Sequence, residues 1–236
     1  MRAVILAGGR GTRLAPYTLI LPKPLMPLGD KPILDLITRQ LQRHGITDIT
    51  LAVGYLAELL MSYFGNGQRF GVQMAYSREE EPLGTAGPLS LIPDLTERFL
   101  VMNGDVLTTL DFGAMLARHV TSGALCTVAV HRRQIGIDLG VVEYDAEFQL
   151  TSYIEKPIHH YQASMGIYIF EPRVLDFIPA NQHLDLPDLM QQLMRAGERV
   201  HCYPFEGYWL DIGRPDDHAQ AVADLDKLEP LLFPPA

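Results

Sequence analysis

Alternation is the property that most constrains this chain: short apolar, β-branched runs repeatedly give way to stretches with helical periodicity. Ala3-Val4-Ile5-Leu6 reads as a buried strand that runs straight into a loop, Gly8-Gly9-Arg10-Gly11. Ile33, Leu34, Ile37 and Leu41 recur at helical spacing, which predicts a helix over 32–44 that Gly45 ends. Further strands are predicted at 49–53, 72–76, 99–102 and 125–131, and helices at 58–64 and from Asp111, acting as a cap, to His119. In the less regular second half, 140–144, 166–170 and 200–205 read as strands and 187–196 and 216–228 as helices. The tail from Leu231 is apolar, Pro-rich and without clear structure. Strands and helices alternating at these lengths predict an α/β fold with a mainly parallel sheet.

No internal repeat, low-complexity linker or Gly/Ser hinge divides the 236 residues, so a single domain is expected over 1–236. No apolar run approaches the roughly 20 residues a membrane helix needs. The short N-terminal apolar run is followed at once by glycines and arginines, which fits a first strand better than a secretory signal. Cys126 and Cys202 both lie in apolar stretches and have no metal-type spacing, as expected of reduced core residues in a cytoplasmic protein. A net charge of −9 argues against nucleic acid and anionic membrane as partners. Yet Arg2, Arg10, Arg13 and Lys23 all precede the first acidic residue, Asp30, and this points to a local anion site.

The segment Leu6-Ala7-Gly8-Gly9-Arg10-Gly11-Thr12-Arg13-Leu14 can bring backbone N–H groups close to a phosphate, with Arg13 as a bidentate clamp. It is not a dinucleotide fingerprint, because Leu14 stands where the last glycine belongs, nor a Walker loop, because Gly-Lys-Ser/Thr is missing. Together with Leu21-Pro22-Lys23-Pro24-Leu25, it resembles the opening signature of the sugar-phosphate nucleotidylyltransferases. The resemblance continues through Glu81-Pro82-Leu83-Gly84-Thr85-Ala86-Gly87, Asn103-Gly104-Asp105, Gly140-Val141-Val142-Glu143, Glu155-Lys156-Pro157 and Trp209-Leu210-Asp211-Ile212-Gly213.

That resemblance implies a Rossmann-like open, mixed sheet, with the nucleotide-binding part over residues 1–120 and the sugar-phosphate-binding part over 121–236. It implies a nucleoside triphosphate and a sugar 1-phosphate as partners and Mg²⁺ as the metal, and a homo-oligomer is compatible with it. Leu6, Ala7, Gly8, Gly9, Gly11, Thr12, Arg13, Gly84 and Thr85 would meet the nucleotide, with Arg13 and Lys23 as the catalytic cations. Asn103, Gly140, Glu155, Lys156 and Ser164 would meet the sugar phosphate, and Asp105 and Asp211 the metal. Two carboxylates with phosphate oxygens make a hard site suited to Mg²⁺. The run Glu79-Glu80-Glu81 reads as a solvated loop edge, and the dispersed histidines as surface or core residues. Ser164-Met165-Gly166 replaces the Asn-Ala-Gly of many relatives, and Arg214 follows Gly213 where relatives have Thr. The motifs look most similar to mannose- or heptose-1-phosphate guanylyltransferases. Many members carry a C-terminal β-helix, and functions located there are not expected of this chain. Uridylyl or thymidylyl transfer is the alternative within the same chemistry, and a non-catalytic nucleotide-sugar-binding regulator the alternative outside it.

Overall fold

Ala3, Ile5 and Ala7 point to one side of the first strand and Val4 to the other, and all four are buried. A strand covered on both faces lies in the interior of a layered α/β protein. The computed structural model describes residues 1–233. In chain order the strands are β1 (Arg2–Ala7), β2 (Pro27–Leu28), β3 (Lys31–Pro32), β4 (Asp48–Val53), β5 (Gln73–Arg78), β6 (Phe99–Asn103) and β7 (Val106–Thr108). They continue as β8 (Cys126–Gly136), β9 (Gly140–Tyr144), β10 (Leu150–Glu155), β11 (Ile158–Phe170), β12 (Val200–Phe205) and β13 (Trp209–Asp211). The α-helices are α1 (Ile33–Arg43), α2 (Ala57–Phe64), α3 (Phe112–Ser122), α4 (Leu186–Arg195) and α5 (Pro215–Leu232).

The central sheet has seven strands in the order β12-β8-β11-β6-β1-β4-β5. Only β11 runs against the rest: it pairs antiparallel with both β6 and β8, and every other neighbouring pair is parallel. This is the mainly parallel mixed sheet expected. One face packs on apolar residues of α1, α2, α3 and α5, among them Ile37, Leu60, Phe112 and Ala221. The other packs on Leu186, Leu189 and Leu193 of α4 and on Leu89 of a one-turn helix, Gly87–Leu91.

Local signals hold where periodicity or a cap is strong. Asp111 accepts from Ala114 N at 3.0 Å and caps α3. Helix α1 ends where predicted, with Ile46 N bonded to Leu41 O at 2.9 Å around Gly45. Two differences have physical causes. Strands β8 and β11 run on past the core as an exposed ribbon, with Gly136 opposite Ile158, and β9 pairs with the unexpected β10 beyond its tip. Such a ribbon is held by its own ladder, so residues such as Arg132, Arg133 and Gln134 need no buried face and show no alternation. Helix α5 continues to Leu232 because Leu228 and Leu232, four residues apart, are both buried. Of the tail expected to lack structure, Leu231 and Leu232 are thus helical, and 234–236 lie outside the described residues.

Candidate active site

The sheet opens at the carboxyl ends of β1 and β6, where the chain departs in opposite directions from the middle of the strand order. Ligands in open α/β sheets bind in such crevices. Leu6 and Asn103 are register partners there, and Gly104 N bonds to Leu6 O at 2.9 Å. The glycine loop crosses this edge. Tyr55 N bonds to Gly8 O at 3.1 Å, which ties the loop to the end of β4. A Cβ on Gly8 would run into the Glu79 carboxylate, so any larger residue there would have to push that side chain aside. Gly11 opens the one-turn helix Thr12–Leu14, and the Thr18 hydroxyl bonds to its carbonyl at 2.9 Å. A later one-turn helix, Lys23–Leu25, starts after Pro22 and buries Lys23.

The carboxylates arrive from distant segments. Asp105 sits in the turn between β6 and β7. Strand β13 pairs antiparallel with β7, with Asp211 opposite Val106, and Ile212 N bonds to Asp105 O at 3.0 Å. The ammonium of Lys23 reaches both acids: it donates to Asp105 Oδ2 and lies 4.0 Å from Asp211 Oδ1. Burial raises the Asp211 carboxyl above the usual carboxylate range, the Asp105 charge adds to this, and Lys23 and Arg13 oppose it. Arg13 stacks over Gly213, because a Cβ there would meet Nη1, Nη2 and Cζ at 3.4–3.5 Å. Near-equal distances to three coplanar atoms mean that the flat face of the guanidinium is covered while its N–H edges stay free.

The cleft between these elements holds about 530 Å³. Leu6, Ala7, Gly8, Gly9, Gly11, Arg13, Lys23, Asn103 and Asp105 line it, with Gly84 and Thr85 opposite. Gly84 has φ +79°, and a Cβ there would strike Leu184 O, so the turn requires glycine. Thr85 has a structural task that its motif did not suggest. Its hydroxyl accepts from Leu186 N at 2.7 Å and donates to Asp185 Oδ1 at 3.2 Å, which ties the loop to the start of α4. Thr12 begins its one-turn helix beside the lining residues.

Glu79 corrects the reading of 79–81 as a solvated loop edge. It is partly buried, lines the cleft, accepts from Leu83 N at 3.0 Å through Oε2, and rests against Gly8 and Gly54 through Oε1. Its position right after β5, in line with the loop after β1, was the signal available in the sequence. Cys202 is a second correction: it is exposed, because β12 is the outermost strand, whereas Cys126 is buried and burial pushes its thiol upward.

The sugar-side residues are more spread out. Ser164 Oγ lies 3.0 Å from the Tyr168 hydroxyl, and Gly166 packs so tightly on Asn103 that a Cβ would reach within 2.5 Å of its amide nitrogen. The segment 164–166 is therefore joined to the cleft through Asn103. Gly140 and Glu155 are paired across β9 and β10, with the Tyr153 hydroxyl over Gly140. Lys156 follows, its ammonium 2.8 Å from Asp138. These three lie on the exposed arm, outside the cleft walls.

A family model described as nucleotidyl transferase matches residues 2–227. The chain belongs to that family. Among relatives, this nucleotidyl transferase is 37% identical to a Synechocystis UTP–glucose-1-phosphate uridylyltransferase, over 94% of this chain and 62% of that protein. It is 35% identical to the mannose-1-phosphate guanyltransferase of Schizosaccharomyces pombe, over 100% of this chain and 68% of that one. The chain thus spans about six-tenths to two-thirds of the length of these two relatives. A Bacillus anthracis protein assigned as a glucose-1-phosphate thymidylyltransferase and solved with sucrose superposes with a TM-score of 0.77 at 26% identity, over 94% of each chain. Among the described residues no helix is long and apolar enough to cross a membrane.

A divalent cation would suit the acidic end of the cleft. Asp105 Oδ1 is buried without a hydrogen-bond partner, which is costly for a carboxylate oxygen unless something binds it. Among the described residues, however, no group of three or more His, Cys, Asp or Glu could hold a metal. Two carboxylates alone leave most of an octahedral shell to water and substrate phosphates, as is usual for Mg²⁺.

Proposed function

We propose that this nucleotidyl transferase joins a sugar 1-phosphate to a nucleoside triphosphate, with GTP and a mannose- or heptose-type sugar as the pair. The observation that carries the reaction class is the charged end of the cleft, where both signs meet: Lys23 held between Asp105 and Asp211, and Arg13 seated on Gly213 beside them. A sugar-phosphate oxygen attacks the α-phosphorus. That P–O bond forms while the bond from the α-phosphorus to the bridging oxygen breaks, and pyrophosphate leaves with the electron pair. The attacking phosphate is already largely ionised, its second pKa being about 6, so no general base is needed. The work is positioning and charge neutralisation.

Gly8, Gly9 and Gly11 admit the phosphates to backbone N–H groups, and Arg13 holds the departing pyrophosphate with its free N–H edge. Lys23 neutralises charge at the α-phosphate. Asp105 and Asp211 would hold Mg²⁺, which when bound would neutralise phosphate charge as a Lewis acid. Asn103, Ser164 and Gly140 border the sugar, Glu155 takes a sugar hydroxyl and Lys156 the sugar phosphate.

Glu79 favours guanine. An ionised carboxylate only accepts hydrogen bonds. Guanine offers two adjacent donors on its pairing edge, N1–H and N2–H₂, whereas uracil and thymine offer one N–H flanked by two carbonyl oxygens that a carboxylate repels. The uridylyltransferase among the relatives keeps UTP as the second reading. The test is pyrophosphate release with Mg²⁺, each common triphosphate and a panel of sugar 1-phosphates. Release is expected with GTP and to vanish with EDTA, and Glu79→Gln should narrow the GTP-over-UTP preference by about tenfold or more. A preference unmoved in Glu79→Gln would remove the guanine argument. No release from any pair, with triphosphate binding intact, would favour the non-catalytic regulator.

A further inference from the structure

Lys23 occupies the place between the two carboxylates. Its side chain is 10% exposed, its ammonium donates to Asp105 Oδ2, and Asp211 Oδ1 is 4.0 Å away. The other Asp105 oxygen is buried and without a partner. An ammonium and a divalent cation cannot share this position: they repel each other and compete for the same oxygens. The backbone of Lys23 is fixed by Pro22, Pro24 and a one-turn helix, and its Cβ packs 3.1 Å from where a Cβ on Gly11 would stand. The ammonium, at the end of four rotatable bonds, is the part that can move. It borders the same cleft as the glycine loop and Arg13, so a polyphosphate bound there would offer it a second anionic partner.

We propose that Lys23 is a placeholder for the divalent cation: the carboxylates hold its ammonium in the free protein and accept the metal only when a triphosphate has drawn that ammonium away. This rests on the reading that Asp105 and Asp211 hold the metal, and it makes metal loading conditional on nucleotide. The shortage of protein ligands points the same way, since phosphate oxygens must complete the shell. In the free protein the arrangement leaves neither the ammonium nor Asp105 Oδ2 without a counterpart, so the acidic end of the cleft can fold without metal. It also disfavours capture of a free cation in a non-productive state.

The test is binding of Mn²⁺ alone, without nucleotide, to the full chain, followed by electron paramagnetic resonance of the free ion. Lys23→Met should bind Mn²⁺ at least about tenfold more tightly than the wild type, as expected when a competing cation is removed. Adding Asp105→Asn to that variant should abolish the gain. Lys23→Gln, which keeps an amide donor for Asp105, serves if the methionine variant fails a circular dichroism check of folding. Equal Mn²⁺ affinity in wild type and Lys23 variants, with Asp105→Asn weakening both, would overturn the placeholder and leave the metal site standing. Mn²⁺ affinity insensitive to Asp105→Asn in every background would overturn the metal reading and the placeholder with it.

Discussion

Arg13 is exposed, and its guanidinium face rests on Gly213. A long cationic side chain on a loop is normally mobile, but a backbone that admits its flat face reduces the entropy lost when it meets a phosphate. Truncating it removes charge stabilisation without opening the core. Arg13→Ala should lower turnover by about 10²–10³ and shift the thermal midpoint little. Steady-state kinetics with parallel thermal unfolding checks this. Unfolding under assay conditions, or turnover within about threefold of wild type, would contradict the assignment. Gly213 and Arg13 are 200 residues apart in the chain, and the Asp-x-Gly motif by itself says nothing of their contact.

Helix α3 is clamped to the sheet by a buried polar device at the end away from the cleft. His119 is fully buried, with Nδ1 2.8 Å from Thr127 Oγ1 and Nε2 3.4 Å from Glu171 Oε1. Glu171 also takes Arg98 at 3.0 Å, and the charge of His201 is felt there. Burial lowers the imidazole below the ordinary histidine value, with Glu171 pulling the other way. The folded protein therefore takes up this proton less readily than the unfolded chain. Stability is full above the unfolded value of about 6.5 and falls as pH drops below it. Between pH values of about 7.5 and 5.5 the wild type should lose more stability than His119→Gln in denaturant unfolding. Parallel pH profiles for the two proteins would show that the imidazole does not titrate differently on folding. The Asp111 cap made the helix legible in the sequence, but the clamp depends on strands that start at Cys126 and end at Phe170.

At the scale of the whole molecule, the cleft proposed for the nucleotide is built from the parallel part of the sheet, and three of the five expected sugar contacts, Gly140, Glu155 and Lys156, ride on the arm of β9 and β10. The arm leaves the ribbon between Gly136 and Ile158, which are register partners, and Ile137 N bonds to Pro157 O at 3.0 Å. Leu139, Tyr144, Phe148 and Tyr153 on it are exposed, so it adds little to the core. Replacing residues 137–157 by Asn-Gly would close Gly136 to Ile158 with a two-residue hairpin turn. The product should keep its thermal midpoint within about 5 °C and its triphosphate affinity, and should lose turnover with sugar 1-phosphates. Calorimetry and the pyrophosphate assay read the two halves separately. Full turnover would take Gly140, Glu155 and Lys156 out of the sugar site.

What the sequence by itself determined is local or periodic. The buried strand Ala3-Val4-Ile5-Leu6, the spacing of Ile33, Ile37 and Leu41, and the Asp111 cap follow from contacts within a few residues. The glycine loop and its cations suggested an anion site from the sequence because backbone access and charge are properties of residue type. Only the tertiary structure decided what depends on register between distant strands. The pairing of β7 with β13 sets Asp211 beside Asp105, and the turn after β5 folds Glu79 under Gly8. The tie from Thr85 to α4 is of the same kind. Side-chain partners across 100 residues leave no periodic trace in either segment, because each segment's own pattern is set by the face it buries.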